Sequence, residues 1–331
     1  MSELDFQGIL LRQLNFWIDH GALWLPACEL AIPEGIMHPD ILRQALGNDS
    51  GGRVVVQPVR RPLDGRHGEH AFRAYRHLEL VVLLRDRAVE GLNLGLAALT
   101  ASGLELADHD VRCVDRPWDS TALDARGNGW QVEVDGAAVA RWTVLRTLAG
   151  YEPRRPTAVW VVGLEQLASV VCGRPAVEVP WASSGGSDTE SAPRVGTMLL
   201  GEERERCRWA EDTVNTEILW QRLEEGDRAT RRALAAELPR IAYEQAISAL
   251  EVIDALTLRG ALRPRERGER VEKTRLQILA SAELVVASMA GASDDADGGV
   301  SAEDGGDGAE AGPDDMAESE SETAAEGEGE R

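Results

Sequence analysis

Apolar positions recur every three or four residues at the start of the chain. In DFQGILLRQLNFWIDHG, residues Phe6, Ile9, Leu10, Leu14, Trp17 and Ile18 share one face of a helix, and Gly21 supplies the stop. The period then changes. Arg53 to Val59 (RVVVQPV) and Leu78 to Leu84 (LELVVLL) are rich in aliphatic and β-branched residues and predict two strands, joined by a connection too long for a simple turn. In GWQVEVDGAAVARWTVLRTL, apolar residues alternate through Trp130, Val132 and Val134 to Asp135-Gly136, a pair suited to a tight hairpin turn, and resume at Val139, Trp142 and Val144. That is antiparallel sheet. The stretch TAVWVVGLEQLASVVCG passes from strand to helix at about Gly163 and ends near Gly173. From Arg174 to Arg194 the chain is rich in Pro, Ser and Gly, the composition of a linker or surface loop. Helical spacing returns from Glu202 to Met289, with Leu234, Leu238 and Ile241, then Ala242, Ala246, Leu250 and Ile253, enough for three or four helices.

The order of elements predicts an α+β protein with a mainly antiparallel sheet in residues 1–175, a linker at 176–194, a helical domain at 195–292 and a tail at 293–331. There is no regular strand–helix alternation, no Gly-x-Gly-x-x-Gly and no Gly-Lys-Ser/Thr. Dinucleotide-binding and P-loop architectures are therefore disfavoured.

Charge changes this picture in one place. The formal net charge is −22, of which the tail from Ser293 carries −14, with fifteen Asp and Glu against one Arg, leaving −8 for the body. A tail so poor in apolar residues cannot recover its ordering entropy and is expected to be disordered. The mildly acidic body argues against an extended nucleic-acid groove of its own. Cys28, Cys113, Cys172 and Cys207 are widely spaced and fit buried thiols in a reducing compartment, so the expected location is the cytoplasm. No apolar run approaches the length of a membrane span, and no His, Cys and Asp grouping has zinc spacing.

The candidate chemistry lies between the first two strands. RRPLDGRHGEHAFR holds Arg60, Arg61, Arg66 and Arg73, with Asp64 and Glu69 to brace them and Gly65 and Gly68 to let the backbone approach a ligand. Guanidinium groups offer paired donors that match phosphate or carboxylate oxygens. Composition alone leaves two readings open, an anion held against the sheet or a salt-bridged surface loop.

Longer segments carry a resemblance. FQGILLRQLNFWIDHG, GIMHPDILRQALG, VQPVRRPLDGRHGEHAFR, HDVRCVDRPWDS, GNGWQVEVDG and GLEQLA occur in the order and at the spacing of the α subunit of the bacterial two-subunit glycine–tRNA ligase, over about residues 5–290. The resemblance implies a class II aminoacyl-tRNA synthetase-like core, an antiparallel sheet with flanking helices followed by a helical bundle. It implies ATP, with Mg2+, as the cofactor pair. It casts Arg61, Arg73 and Glu165 as catalytic groups, and Arg60, Arg61, Asp64, Arg66, Glu69, Arg73 and Gln166 as the ATP site. Glu165 is the implied holder of Mg2+, and Glu79, Trp130, Gln131 and Thr143 line the amino-acid pocket. The implied substrate is glycine or another small amino acid, activated as its adenylate. The implied partners are tRNA, held mainly by a separate β subunit, and a second α chain paired through the helix at Phe6 to His20, in a homodimer or a two-alpha two-beta assembly.

Some positions depart from the family pattern. Gln166 stands where the third motif ends in Arg, and Glu79-Leu80-Val81 replaces a Gln-Phe-Gln run. Ala138 and Ala140 replace Glu and Thr, and Arg146-Thr147 replaces a Gln pair. These departures leave an alternative beside the ligase, a divergent paralogue that either activates an amino acid for a biosynthetic pathway or binds without catalysis. His38-Pro39 and His109-Asp110 also match the family. As lone residues they are read as structural, because adenylation needs no imidazole base.

Overall fold

Among the described residues, eight strands form one sheet, and the alternation along each sets which side chains share a face. They are β1 (Ala22–Trp24), β2 (Gly52–Arg60), β3 (Arg76–Arg85), β4 (Val111–Asp115), β5 (Trp118–Ser120), β6 (Ala125–Val134), β7 (Ala137–Thr147) and β8 (Thr157–Gly163). Their spatial order is β1-β2-β3-β8-β7-β6-β4, with β5 also on β6, and only the β1–β2 pair is parallel. The structure, a computed structural model, describes residues 4–65, 74–86, 90–182 and 192–297. The hairpin-loop positions Arg66, Glu69 and Arg73 and the acidic tail from residue 298 lie outside the described residues.

Among the described residues, eight α-helices accompany the sheet: α1 (Phe6–Asp19), α2 (Pro39–Leu46), α3 (Gly91–Ala101), α4 (Leu164–Cys172), α5 (Val195–Arg208), α6 (Thr216–Ala235), α7 (Pro239–Leu258) and α8 (Pro264–Asp297). Leu80, Val82, Trp142, Trp160 and Val162 point to one side of the sheet and pack against Phe6, Ile9 and Trp17 of α1, Ala98 and Leu99 of α3, and Leu167 of α4. Val55, Val59, Val81, Leu83 and Val159 point to the other and meet Ile41 and Leu42 of α2, Tyr243 and Ile247 of α7, and Ile278 of α8. Burying each such side chain contributes roughly 1.5–3 kcal/mol, so both faces are committed to core wherever polar residues do not interrupt them. The chain divides into two compact units, Met1–Gly291 and Ala292–Arg331, and the sheet belongs to the first.

Local chemistry explains the boundaries. The Asp5 carboxylate caps α1 by accepting from Gly8 N–H at 2.6 Å. The α2 start combines Pro39 in its first turn with the His38 ring, whose Nδ1 accepts from Asp40 N–H at 3.2 Å. Its Nε2 faces the Pro26 carbonyl at 3.1 Å, and burial lowers the histidine pKa, so His38 is a neutral cap. His109 is likewise structural, with Nδ1 2.7 Å from the Asp135 carboxylate. Asp135 and Gly136 both have positive φ, 51° and 82°, as the β6–β7 turn requires.

Several positions differ from the expected pattern. Ile18 is exposed, and the buried stripe of α1 instead includes Gln13, whose amide donates to the Ala98 carbonyl and to Ser102 Oγ. An apolar period cannot reveal a polar residue whose partners lie on another helix. Leu238 and Ile241 are also exposed, because the buried stripe of α7 starts at Ala242. Cys113 is exposed on β4, whereas Cys207 is buried. Within the segment expected as a linker, the Pro180 and Trp181 carbonyls accept from Phe6 and Gln7 N–H, and Trp181 stacks on Phe6 with ring centroids 5.0 Å apart.

Helices from the second half tie down the hairpin base. Glu203 on α5 accepts from the backbone N–H of Tyr75 at 2.6 Å and Arg76 at 3.3 Å, while Glu202 pairs with Arg76 at 3.0 Å. The Tyr75 hydroxyl donates to Glu251 of α7 at 3.2 Å. The return of the hairpin into β3 is thereby fixed by side chains far away in sequence.

Candidate active site

The first turn beyond β2 sets the site. Arg61 leaves the strand into a short 3-10 turn, Pro62–Asp64. Its Nε donates to the Pro33 carbonyl at 2.9 Å, and its Nη2 donates to Glu79 Oε1 at 2.5 Å. The second oxygen of Glu79 accepts from Gly35 N–H at 2.8 Å. One guanidinium and one carboxylate thus lock β2, β3 and the Pro33–Gly35 segment together. A charge-assisted pair of this kind is about twice as strong as a neutral hydrogen bond, and it presents the remaining face of Arg61 in a fixed direction.

Arg61 borders a cavity of about 360 Å³ together with Glu34, Asp64, Ser120, Asp254 and Arg267. Leu250 and Ile253 of α7 and Val271 of α8 also line it. Arg141 of β7 reaches the same neighbourhood, with its guanidinium 5.6 Å from the centre of the Trp118 ring. Burial raises the Glu34 pKa, Arg141 opposes that rise, and Glu79 adds to it. His77, buried beside Glu79, has a lowered pKa from burial and then from the Arg61 charge, so it stays neutral. Gln57, in register with Glu79, is fully buried, and its Oε1 accepts from Cys28 N–H at 2.9 Å.

Not all the residues expected at the site meet there. Arg61, Asp64 and Glu79 do. Through the β3–β8–β7–β6 register, Arg141, Gln131 and Thr143 share the Glu79 face of the sheet. Gln131 is engaged with Glu133 at 2.6 Å and Arg116 at 2.9 Å, and Thr143 is buried. Trp130 pairs with Trp142, whose side chain belongs to the α1–α3–α4 core, so Trp130 stands on the opposite face. There it lines a separate cavity of about 420 Å³ with Asp115, Asn128 and Arg146. Arg60 lines a different cavity from Arg61 and lies 3.7 Å from Glu251. At the start of α4, both oxygens of Glu165 accept from Leu78 N–H, at 3.0 and 3.1 Å. The neighbouring Gln166 side chain packs over Gly163, and its Oε1 is buried with no partner among the described residues. In the helical part, Arg267 pairs with Asp254 and Arg265 with Glu269, at 2.9 and 3.0 Å.

Comparison with known proteins decides the family. The family model described as "Glycyl-tRNA synthetase alpha subunit" matches residues 6–289. The chain belongs to the glycyl-tRNA synthetase alpha subunit family. A glycine–tRNA ligase alpha subunit of Rickettsia bellii is 30% identical over 83% of this chain and 94% of its own length. That of Rickettsia akari is 29% identical over the same shares. Among solved structures, a pyrrolysyl tRNA synthetase of Desulfitobacterium hafniense overlaps 57% of this chain and 76% of its own, with TM-score 0.40 and 11% identity. The class II synthetase-like fold and the ligase class expected from the sequence hold for this member of the alpha subunit family, and membership implies use of ATP and a β partner. Among the described residues, no helix is long and apolar enough to cross a membrane.

Within this alpha subunit, four residues at the site carried no clear sequence signal. Gln57 and His77 could have been found from the period of two, since each is a polar residue on the same strand face as Glu79. Arg141 needed the β7 register, and Glu34 lies in a loop whose burial only the packing of α7 and α8 reveals.

The metal expectation meets a donor set already in use. Glu165 is committed to Leu78, Glu79 to Arg61 and Gly35, and Asp254 to Arg267. Among the described residues, no group of three or more His, Cys, Asp and Glu side chains is placed to hold a metal ion. The Glu165 environment has its own consequence for stability. Burial raises its pKa from 4.5 to about 7, against the lowering effect of the Leu78 N–H. The folded state therefore keeps a proton that the unfolded chain has lost, and stability falls as pH rises from about 4.5 to about 7. The full effect is roughly 3 kcal/mol. Glu165→Gln, which stays neutral, is expected to flatten this part of the pH–stability curve in urea unfolding experiments. An unchanged slope between those pH values would show that Glu165 ionises freely.

Proposed function

We propose that the chain activates glycine with ATP, forming glycyl-adenylate for transfer to tRNA together with a separate β subunit. The observation that carries this reading is the fixed Arg61 guanidinium on the wall of a cavity whose polar lining also includes Glu34, Asp64 and Ser120. In the activation step a carboxylate oxygen attacks the α-phosphorus of ATP and pyrophosphate leaves. The step needs charge stabilisation and alignment more than an acid or base. Arg61 suits the α-phosphate, because its orientation is set before the ligand arrives and costs no reorganisation during reaction. The hairpin positions Arg66, Glu69 and Arg73 are proposed for the remaining phosphates and the adenine. Gln166, at the start of α4 one strand from Glu79, is proposed as a neutral contact. Glu165 acts as a brace holding β3 against α4, and Mg2+ enters with the triphosphate.

Pairing of two α chains is proposed through α1 and β1. Leu11 and Ile18 are exposed on the helix, and Leu23 and Trp24 are 61% and 59% exposed on the edge strand beside it. Such an exposed apolar patch is what a partner surface leaves uncovered in an isolated chain. The expected location is the cytoplasm. Amino-acid-dependent ATP–pyrophosphate exchange, screened over all amino acids with the full chain alone and with its β partner, tests the reading. Exchange with glycine supports it, and the lack of exchange with any amino acid overturns it.

A further inference from the structure

We propose that Glu34 receives the α-ammonium group of the amino acid, making an N–H-bearing amine beside the reacting carboxylate a requirement for entry. The inference rests on the reading of this cavity as the amino-acid activation site, and it names the chemistry that selects the substrate there.

Four carboxylates lie on or beside this cavity, and the structure distinguishes them by what they already hold. Glu79 has Oε1 on Arg61 and Oε2 on Gly35 N–H, so binding an ammonium would mean breaking the bond that orients Arg61. Asp254 is tied to Arg267 at 2.9 Å. Asp64 sits on the hairpin turn at the rim, half-buried. Glu34 differs from all three. It lines the cavity, and although the Trp118 side chain hydrogen-bonds to its carboxylate, its Oε2 is buried and has no hydrogen-bond partner among the described residues.

A desolvated carboxylate oxygen without a donor is unfavourable, and natural proteins rarely leave one except where a ligand completes it. An ammonium supplies both the missing donor and the compensating charge. Burial raises the Glu34 pKa, and the nearby Arg141 charge opposes that rise. Glycine carries its ammonium one carbon from its carboxylate. Seating the ammonium on Glu34 therefore places the carboxylate within the same cavity as Arg61, where the α-phosphate is proposed to lie. A hydroxy acid would leave the carboxylate without its countercharge, and a quaternary amine would bring charge with no N–H. Both should be rejected, because a buried polar group left unpaired discriminates strongly against the analogue that cannot satisfy it.

The test uses ATP–pyrophosphate exchange by the full chain with its β partner, and calorimetric titration with ATP. The wild type is expected to exchange with glycine but not with glycolate or N,N,N-trimethylglycine. Glu34→Gln is expected to raise the KM for glycine by about tenfold or more while ATP affinity is unchanged, as befits loss of a charge-assisted contact to one substrate only. Glu34→Asp, which keeps the charge on a shorter stem, is expected to fall between the two. An unchanged KM in Glu34→Gln that binds ATP normally overturns the assignment, and so does wild-type exchange with trimethylglycine, whatever the variants do. Should the wild type exchange with no amino acid at all, the activation reading itself falls and takes this one with it.

Discussion

Arg61→Ala lowers amino-acid-dependent ATP–pyrophosphate exchange by about 10²- to 10³-fold, the range for removing one preorganised donor from a developing charge. The expectation follows from how much geometry this residue carries. Its Nε and Nη2 are held by the Pro33 carbonyl and Glu79, so the guanidinium cannot be replaced by a mobile cation from elsewhere. Removing it also leaves Glu79 with a buried charge facing Glu34, and the like charges then disfavour an incoming phosphate. Arg61→Lys should recover little, because the three donors of a compact ammonium radiate from one atom and lack the planar fork whose separated N–H groups reach Pro33, Glu79 and an outward ligand together. Steady-state exchange against ATP concentration, with circular dichroism to confirm folding, provides the check. A folded Arg61→Ala protein that exchanges within about threefold of wild type would remove Arg61 from the chemistry, since a loss that small is under 1 kcal/mol of transition-state stabilisation.

Gly129→Ala lowers the unfolding free energy by about 3–5 kcal/mol, an unusually large loss for adding one methyl group. Gly129 on β6 lies in register with Thr143 on β7. A Cβ there would stand 1.8 Å from the Trp142 carbonyl oxygen and 2.9 Å from Thr143 Cα. These are backbone atoms, so no rotamer change relieves the clash, and the two strands must separate. Separation would disturb Trp142, which is almost fully buried against Trp160 with ring centroids 6.2 Å apart. It would also shift Arg141 and Thr143 on the face that lines the site. Gly226→Ala, in the middle of α6 with nothing within 4 Å of its would-be Cβ, is the natural control. It should gain roughly 0.5–1 kcal/mol from helix propensity. Urea unfolding of both variants measures the contrast. A Gly129→Ala protein within about 1 kcal/mol of its parent would mean that the strands are not as closely apposed as described.

Much of the fold could be read before any coordinates. The β2–β3 and β6–β7 hairpins, the passage from β8 into α4 at Gly163 and the helical second half all follow from periodicity and turn residues, which are local properties. Arg61 could be singled out because the density of arginines and glycines around it is unusual, and its family context gave it a role. The tryptophans show where this kind of reading stops. Trp130 and Trp142 sit in similar alternating strands and pair directly, yet Trp142 is covered by α3 while Trp130 is 38% exposed beside an open cavity. Alternation tells that two residues share a face. It does not tell which face a distant helix will cover.

By itself the sequence determined the order of the elements, the hairpin that carries Arg61 and the family, because these depend on spacing along one strand or one helix. Only the tertiary structure decided that Glu79 is bound to Arg61, that Trp130 faces away from both, that Glu203 and Glu251 brace the hairpin from another helix layer, and that Glu34 is a buried carboxylate with an oxygen to spare. The physical reason is the same in each case. Hydrophobic periodicity fixes which side of an element is apolar, whereas the partner of a buried charge is chosen by strand register and by what packs above it, and neither is encoded in the neighbouring residues.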